Sequence, residues 1–113
     1  IKTIDFLLSK GAKIESQDKN GETPLHLAAS QGKIKSIDFL LSKGANIESQ
    51  DNYGNTPLHL AVSQEKIEII DFLLSKKANI ESQNKDGKTP LDFAVSQGKI
   101  ESVEFLLFKG FFF

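Results

Sequence analysis

The sequence lacks four residue types, and each absence narrows the range of possible functions. There is no Cys, Met, Trp or Arg among the 113 residues. Without Cys the chain has no disulfide, no thiolate metal ligand and no cysteine nucleophile. All 14 basic residues are Lys, and 15 acidic residues bring the net charge to −1. Because phosphate neutralisation needs a positively charged stripe, this balance argues against a nucleic-acid partner.

Long apolar runs are also absent. No stretch of 18 apolar residues exists, so we expect no membrane span. Asp5 interrupts the first apolar stretch and no small-residue cleavage site follows, so we expect no signal peptide and a cytoplasmic location. The chain begins with Ile rather than Met, and we expect it to be part of a longer or processed protein.

An internal repeat dominates the sequence. Residues 1–33 and 34–66 are identical at 26 of 33 positions, and residues 34–66 and 67–99 at 23 of 33. The chain therefore contains three full periods and 14 further residues. The period is visible in these series: Ile1, Ile34, Ile67 and Ile100, and Pro24, Pro57 and Pro90.

Each period contains two helical segments. Thr23 is a good N-cap and the proline after it suits the first helical position, which predicts a helix over 24–30 that ends at Gly32. Apolar residues at helical spacing predict a second helix over 34–42. An extended segment follows, with a tight turn at 51–54. Because helices of this length are not stable alone, we expect the repeats to stack into a solenoid.

The motifs resemble those of the ankyrin repeat. They are GETPLHLAA at 21–29 and LLSKGA at 40–45, within a 33-residue period. The resemblance implies a mainly α fold, an ankyrin-repeat solenoid of stacked helix-turn-helix units with β-hairpin-like loops. It also implies a non-enzymatic protein-binding module that uses its hairpin tips and concave face. We expect one domain over 1–113, divided into a partial repeat, two full repeats and a last repeat with a divergent end: 1–17, 18–50, 51–83 and 84–113.

Four departures from the repeat pattern predict local differences. Glu65 and Lys77 replace glycines at helix ends, where a positive φ is expected. Asp92 replaces the His of the two preceding copies. The sequence after Gly110 ends in three Phe residues, which either cover the last repeat or do not represent the native continuation.

Candidate chemical groups have structural explanations. We expect His26 and His59 to bond a Thr hydroxyl and backbone groups rather than to act as acid, base or metal ligand. One acidic position recurs along the second helices and predicts a solvated face: Asp5, Asp38, Asp71 and Glu104. One basic position recurs at their ends, as helix-dipole partners or as a stripe for an acidic partner: Lys10, Lys43, Lys76 and Lys109. No cofactor, metal or catalytic site is predicted.

The differences between repeats concentrate at the turn tips, which face partners in ankyrin repeats. Such variation indicates either binding specificity or weak constraint on exposed turns. Tyr53 is the only Tyr, at one tip, and Tyr is frequent among binding hot spots. The predicted protein-binding residues at the tips are Lys19, Asn20, Glu22, Asn52, Tyr53, Asn55, Lys85, Asp86 and Lys88. The resemblance places two further predicted binding residues, Ser63 and Gln64, toward the concave face.

Three functions remain open. The first is a scaffold that binds a protein partner. The near-identity of the repeats also suits a structural spacer within a longer array, and the segment could regulate an enzyme whose catalytic part lies elsewhere. Neither end of the chain carries a polar capping repeat, so we expect end-to-end self-association through the uncovered apolar ends.

Overall fold

Six helices, arranged in three pairs, follow one another along residues 13–112. The structure, a computed structural model, describes residues 13–112, and only the backbone of Phe112. The predictions for the helix at 1–9 and for Lys10 lie outside the described residues. In chain order the helices are α1 (Pro24–Gln31), α2 (Ile34–Ser42), α3 (Pro57–Ser63), α4 (Ile67–Ser75), α5 (Pro90–Ser96) and α6 (Ile100–Phe112).

The first helix of each pair begins at a Thr-Pro step, as the sequence predicts. In α1 the Thr23 hydroxyl accepts a hydrogen bond from the His26 N–H, and the His26 ring in turn accepts from the Thr23 N–H. Thr56 and Thr89 cap α3 and α5 in the same way. The reciprocal bonds satisfy backbone donors that a helix start otherwise leaves unpaired.

The helices stack in two layers around one continuous core. The first layer contains α1, α3 and α5, and the second contains α2, α4 and α6. Alanines allow the close approach in the first layer, since Ala28, Ala61 and Ala94 are completely buried. This mainly α solenoid confirms the predicted fold. The core is formed by Leu25, Ala28, Ala29, Ile37, Leu40, Leu58, Ala61, Val62, Ile69, Ile70, Leu73, Ala94 and Leu106.

Two non-glycine residues adopt the left-handed conformation, as predicted from the repeat alignment. Glu65 has φ 50° and Lys77 has φ 77°. At the position that corresponds to Lys77, Gly44 has φ 91° in the preceding repeat. An L side chain is strained in this region because its Cβ approaches the backbone.

Replacing Lys77 with Gly is therefore expected to stabilise the protein. Gly relieves the backbone strain of the folded state but also makes the unfolded chain more flexible. The first effect is larger, so the free energy of unfolding is expected to rise by about 1 kcal/mol. Urea denaturation would measure the free energy of unfolding. The opposite change, Gly44→Lys, serves as the control and is expected to destabilise by a similar amount. A Lys77→Gly variant less stable than the parent would contradict the strain argument.

The last helix differs from the prediction. The repeat alignment predicts that α6 ends near Phe108, whereas the helix continues through Gly110 to Phe112. Gly110 is not among the glycines with positive φ, so it does not make the turn that Gly44 makes. The side chain of Phe111 is 81% exposed, so it does not cover the last repeat.

Candidate protein-binding surface

Each loop tip is closed by the side chain of its first residue. Asp51 Oδ1 accepts hydrogen bonds from the N–H groups of Tyr53, at 2.8 Å, and Asn55, at 2.9 Å. The same pair of bonds is accepted in the other two tips by Asp18 and Asn84. These side-chain bonds fix the backbone of each turn, and they confirm the predicted tight turn. The tip backbone is therefore held by hydrogen bonds within the chain itself.

The three tips are joined into one row. The Asn52 N–H donates to the Asn20 carbonyl at 3.0 Å, and the Asn52 side-chain amide donates to the Lys19 carbonyl at 3.0 Å. The Lys85 N–H donates to the Tyr53 carbonyl at 3.0 Å. We call residues 18–22, 51–55 and 84–88 the loop row. The loops are hairpin-like without forming strands, since no residue in the described part of the chain is in a strand.

The two histidines tie each first helix to the next loop. His59 Nδ1 lies 2.9 Å from the Thr56 hydroxyl oxygen and accepts the Thr56 N–H at 3.2 Å. His59 Nε2 lies 2.8 Å from the Lys88 carbonyl oxygen. A carbonyl only accepts, so Nε2 must carry the proton, and the ring is neutral with Nδ1 as acceptor. His26 makes the equivalent contact with the Asn55 carbonyl at 2.8 Å.

This arrangement confirms the structural role predicted for the histidines. Both rings are completely buried. Burial lowers the pKa of His59 below its ordinary value, against the hydrogen bond to the Lys88 carbonyl and the charges of Asp51 and Glu48. Asp92 keeps the helix-capping bond to the Thr89 N–H at 3.2 Å. His59 also donates from Nε2 to the Lys88 carbonyl of the following loop. A carboxylate has no such donor, so Asp92 cannot form an equivalent bond.

A second set of bonds at the base of the loops was not predicted. Glu48 accepts the Asn79 N–H at 2.7 Å and the Ser82 hydroxyl at 2.7 Å, both in the next repeat. Glu15 makes the same pair of bonds with Asn46 and Ser49, at 2.6 Å and 2.8 Å. The repetition of Glu every 33 residues was the available signal, but sequence alone does not show that it reaches across repeats.

Most of the predicted binding residues are exposed on the loop row, but not all. Asn55 is buried, with 8% of its surface accessible, and its Oδ1 accepts a bond from the Asn84 side chain at 2.9 Å. Glu22 and Lys88 are half-buried. The exposed members at the tips are Lys19, Asn20, Asn52, Tyr53, Lys85 and Asp86. Tyr53 is 66% exposed, so its ring is available for contact.

Ser63 and Gln64 lie away from the loop row. Ser63 is the last residue of α3, about 10 Å along the helix axis from the loop. Its hydroxyl donates to the Leu60 carbonyl at 3.0 Å, so its hydrogen-bonding capacity is partly used within the helix. Gln64 is exposed at the helix end. The structure thus brings the tip residues together and leaves these two apart from them.

The acidic and basic rows follow the second helices. The ammonium groups of Lys43, Lys76 and Lys109 lie over the rings of Phe39, Phe72 and Phe105, at 5.6, 5.4 and 5.5 Å from the ring centroids. Such cation–π contacts stabilise a helix end by about 0.5–1 kcal/mol at exposed sites. Lys109 also pairs with Asp71 at 3.0 Å. Contacts within the protein therefore explain part of the recurrence of Lys at these positions.

Acidic groups crowd the first tip. Burial raises the pKa of the Glu22 carboxyl above its ordinary value, and the charges of Asp18 and Asp51 raise it further, opposed by His26. Like charges disfavour ionisation because each carboxylate destabilises its neighbour. The carboxyl groups of Asp18 and Asp51 therefore lie close enough to Glu22 to disfavour its ionisation.

The described residues give no metal-binding arrangement to set beside this surface. Within residues 13–112, no three His, Asp or Glu side chains come together as a metal site would require. In the part of the chain that the structure describes, no helix combines the length and apolarity needed to cross a membrane.

Comparison with known families agrees with this architecture. A family model for ankyrin repeats in three copies matches residues 1–84, and a model for ankyrin repeats in many copies matches residues 62–107. The chain belongs to the ankyrin-repeat family. It is similar to Ankyrin repeat domain-containing protein 53 of Mus musculus, with 66% identity over 29 residues. Those residues are 26% of this chain and 6% of that protein, so the match spans only a small part of the relative.

Proposed function

We propose that the chain is a non-catalytic scaffold that binds a protein partner through the loop row. Ankyrin repeats are generally protein–protein interaction modules. The observation that carries the proposal is the contrast between backbone and side chains at the tips. Hydrogen bonds within and between the loops hold the backbone, while Tyr53 and Lys85 remain exposed. The residues that differ between repeats are thus presented on a fixed frame.

Preorganisation is the physical advantage of such a surface. Binding costs free energy when loops and side chains become ordered, at about 0.5–1.5 kcal/mol for each immobilised flexible side chain. The turns closed by Asp18, Asp51 and Asn84 are already ordered. Tyr53 adds a large contact area with only two side-chain torsions, which limits its entropy cost. Affinity then depends on the tips rather than on folding of the loops.

Two other roles remain proposals. A structural spacer within a longer array would rely on the bonds between repeats and would leave the tips without a ligand. A regulatory segment would act on a catalytic domain elsewhere in the protein. Capture of a linked catalytic domain by the loop row would favour regulation, whereas the absence of any ligand for the tips would favour the spacer.

Loss of the tip side chains is expected to abolish partner capture. A bait with Tyr53→Ala, Lys85→Ala and Lys88→Ala should retain less than a tenth of the partner held by the parent, because a hot-spot aromatic contributes about 2 kcal/mol or more. Affinity purification from a lysate, followed by quantitative mass spectrometry, provides the measurement. All three changes leave the backbone bonds of the loops in place.

A matched control bait carries Asp38→Ala, Lys43→Ala and Lys76→Ala. Asp38 is exposed on α2, and the two lysines are exposed at the C-caps of α2 and α4. It should retain the partner, and both baits should have thermal midpoints within a few degrees of the parent. Equal partner recovery from the two variants would argue against a binding role for the loop row.

A further inference from the structure

The loop row is electrically polarised along its length. In the tip 18–22, one Lys faces two carboxylates, and the tip 51–55 contains a single charged residue, Asp51. In the tip 84–88, two lysines accompany one Asp. The repeats are nearly identical elsewhere, so this change of sign is a specific property of the surface. The charges run from negative at the first tip to positive at the last.

Two positions produce most of the change, and they face each other across neighbouring loops. The contact between Asn55 and Asn84, at 2.9 Å, shows which positions meet. At the preceding junction the corresponding residues are Glu22 and Asp51, both acidic. Lys88 is the equivalent of Glu22 and Asn55 in the last tip. The junctions thus change from two carboxylates to two amides, and the series ends in a cation.

The charges at the two ends of the loop row are largely screened from each other. Packed helices lie about 9 Å apart, so the first and last tips are separated by about 20 Å. The Debye length at physiological ionic strength is about 8 Å. Each end therefore attracts opposite charge locally, and the two potentials do not cancel. Tyr53 lies between them and is 66% exposed.

We propose that the loop row recognises an extended peptide segment whose charges are segregated, with basic residues at one end and acidic residues at the other. The basic end pairs with Asp18 and Glu22, and the acidic end pairs with Lys85 and Lys88. A span of about 20 Å corresponds to about six residues of extended chain. An apolar or aromatic residue between them contacts Tyr53. This inference rests on the proposed protein-binding function.

Selection from a random 12-residue peptide display library tests the proposal. The baits are the parent chain, a Lys85→Glu/Lys88→Glu variant, and a control variant with Lys43→Glu and Lys76→Glu. The parent and the control should enrich peptides in which Lys or Arg lies about six residues from Asp or Glu, at least threefold above the library frequency. The Lys85→Glu/Lys88→Glu bait should enrich peptides in which the acidic end has become basic.

The possible outcomes separate the inference from the function on which it rests. A fourth bait carries Tyr53→Ala. If the parent enriches peptides that this fourth bait does not, and if the charges of the enriched peptides are the same for the parent and both Lys→Glu variants, the inference is overturned and the binding function remains intact. Absence of any enrichment over a surface without bait would overturn the inference, while capture of a protein partner from the lysate would leave the binding function intact. Tyr53 fluorescence can then rank individual peptides, since the chain contains one Tyr and no Trp.

Discussion

Replacing Gly54 with Ala is expected to destabilise the protein by about 3 kcal/mol. Gly54 has φ 78°, and a Cβ built there would lie 2.5 Å from the backbone nitrogen of Lys85 and 3.1 Å from the carbonyl carbon of Asn84. Backbone atoms cannot rotate away as a side chain can. The methyl group would therefore push neighbouring loops apart and weaken the bond between Lys85 and Tyr53. Urea denaturation gives the change in the free energy of unfolding.

Gly87 provides the matched control for this experiment. It occupies the same turn position in the last repeat with φ 74°, but an added Cβ would meet no atom within 4 Å. Gly87→Ala therefore tests conformational strain alone, with an expected cost of about 1 kcal/mol. The difference between the two variants measures the close contact between stacked loops. Equal losses would show that the loops are not packed as closely as the structure indicates.

Replacing His59 with Ala is expected to cost about 3 kcal/mol as well. The substitution removes a completely buried ring and leaves the Lys88 carbonyl without its donor. It also removes the edge contact with the Phe93 ring, whose centroid lies 5.6 Å away. Asp92→Ala, at the equivalent but exposed position, should cost under about 1 kcal/mol, because only a helix-capping contact is lost. Thermal and urea denaturation of both variants compare the two costs.

The same histidine is expected to make stability depend on pH. Because burial lowers its pKa in the folded state, the unfolded chain binds a proton more readily just below the ordinary pKa of about 6.5. The free energy of unfolding should therefore fall as the pH falls through that window. The His59→Ala variant should show a shallower fall than the parent. An identical slope in parent and variant would mean that His59 does not titrate on unfolding.

The fold could be predicted from the sequence because the same helix signals recur in each repeat. The Thr-Pro steps fixed the first helices, and apolar residues at helical spacing fixed the second helices. The positive φ of Lys77 followed from its alignment with a glycine. The extension of α6 to Phe112 could not be predicted in this way, because the sequence beyond Gly110 has no counterpart in the other copies.

The position of the candidate surface could be predicted from the sequence, but the contacts that bury some of its residues could not. Exposure of Tyr53 followed from its position in a turn, whereas the burial of Asn55 depends on its bond to Asn84 in the next repeat. The carboxylate of Glu48 was not singled out in the sequence, yet it joins two repeats. Such contacts between residues about 30 positions apart are set by the stacking geometry, which a one-dimensional pattern does not contain.

Site-specific photo-crosslinking distinguishes recognition through the loop row from recognition through the second helices, because it reports which face touches the partner. Tyr53 is replaced by a photoreactive aromatic residue in one sample, and Asp38, exposed on α2, is replaced in another. After irradiation in a lysate, we expect a covalent complex with a discrete protein from position 53 and little from position 38. Crosslinks formed equally from both positions, or only from position 38, would contradict recognition through the loop row.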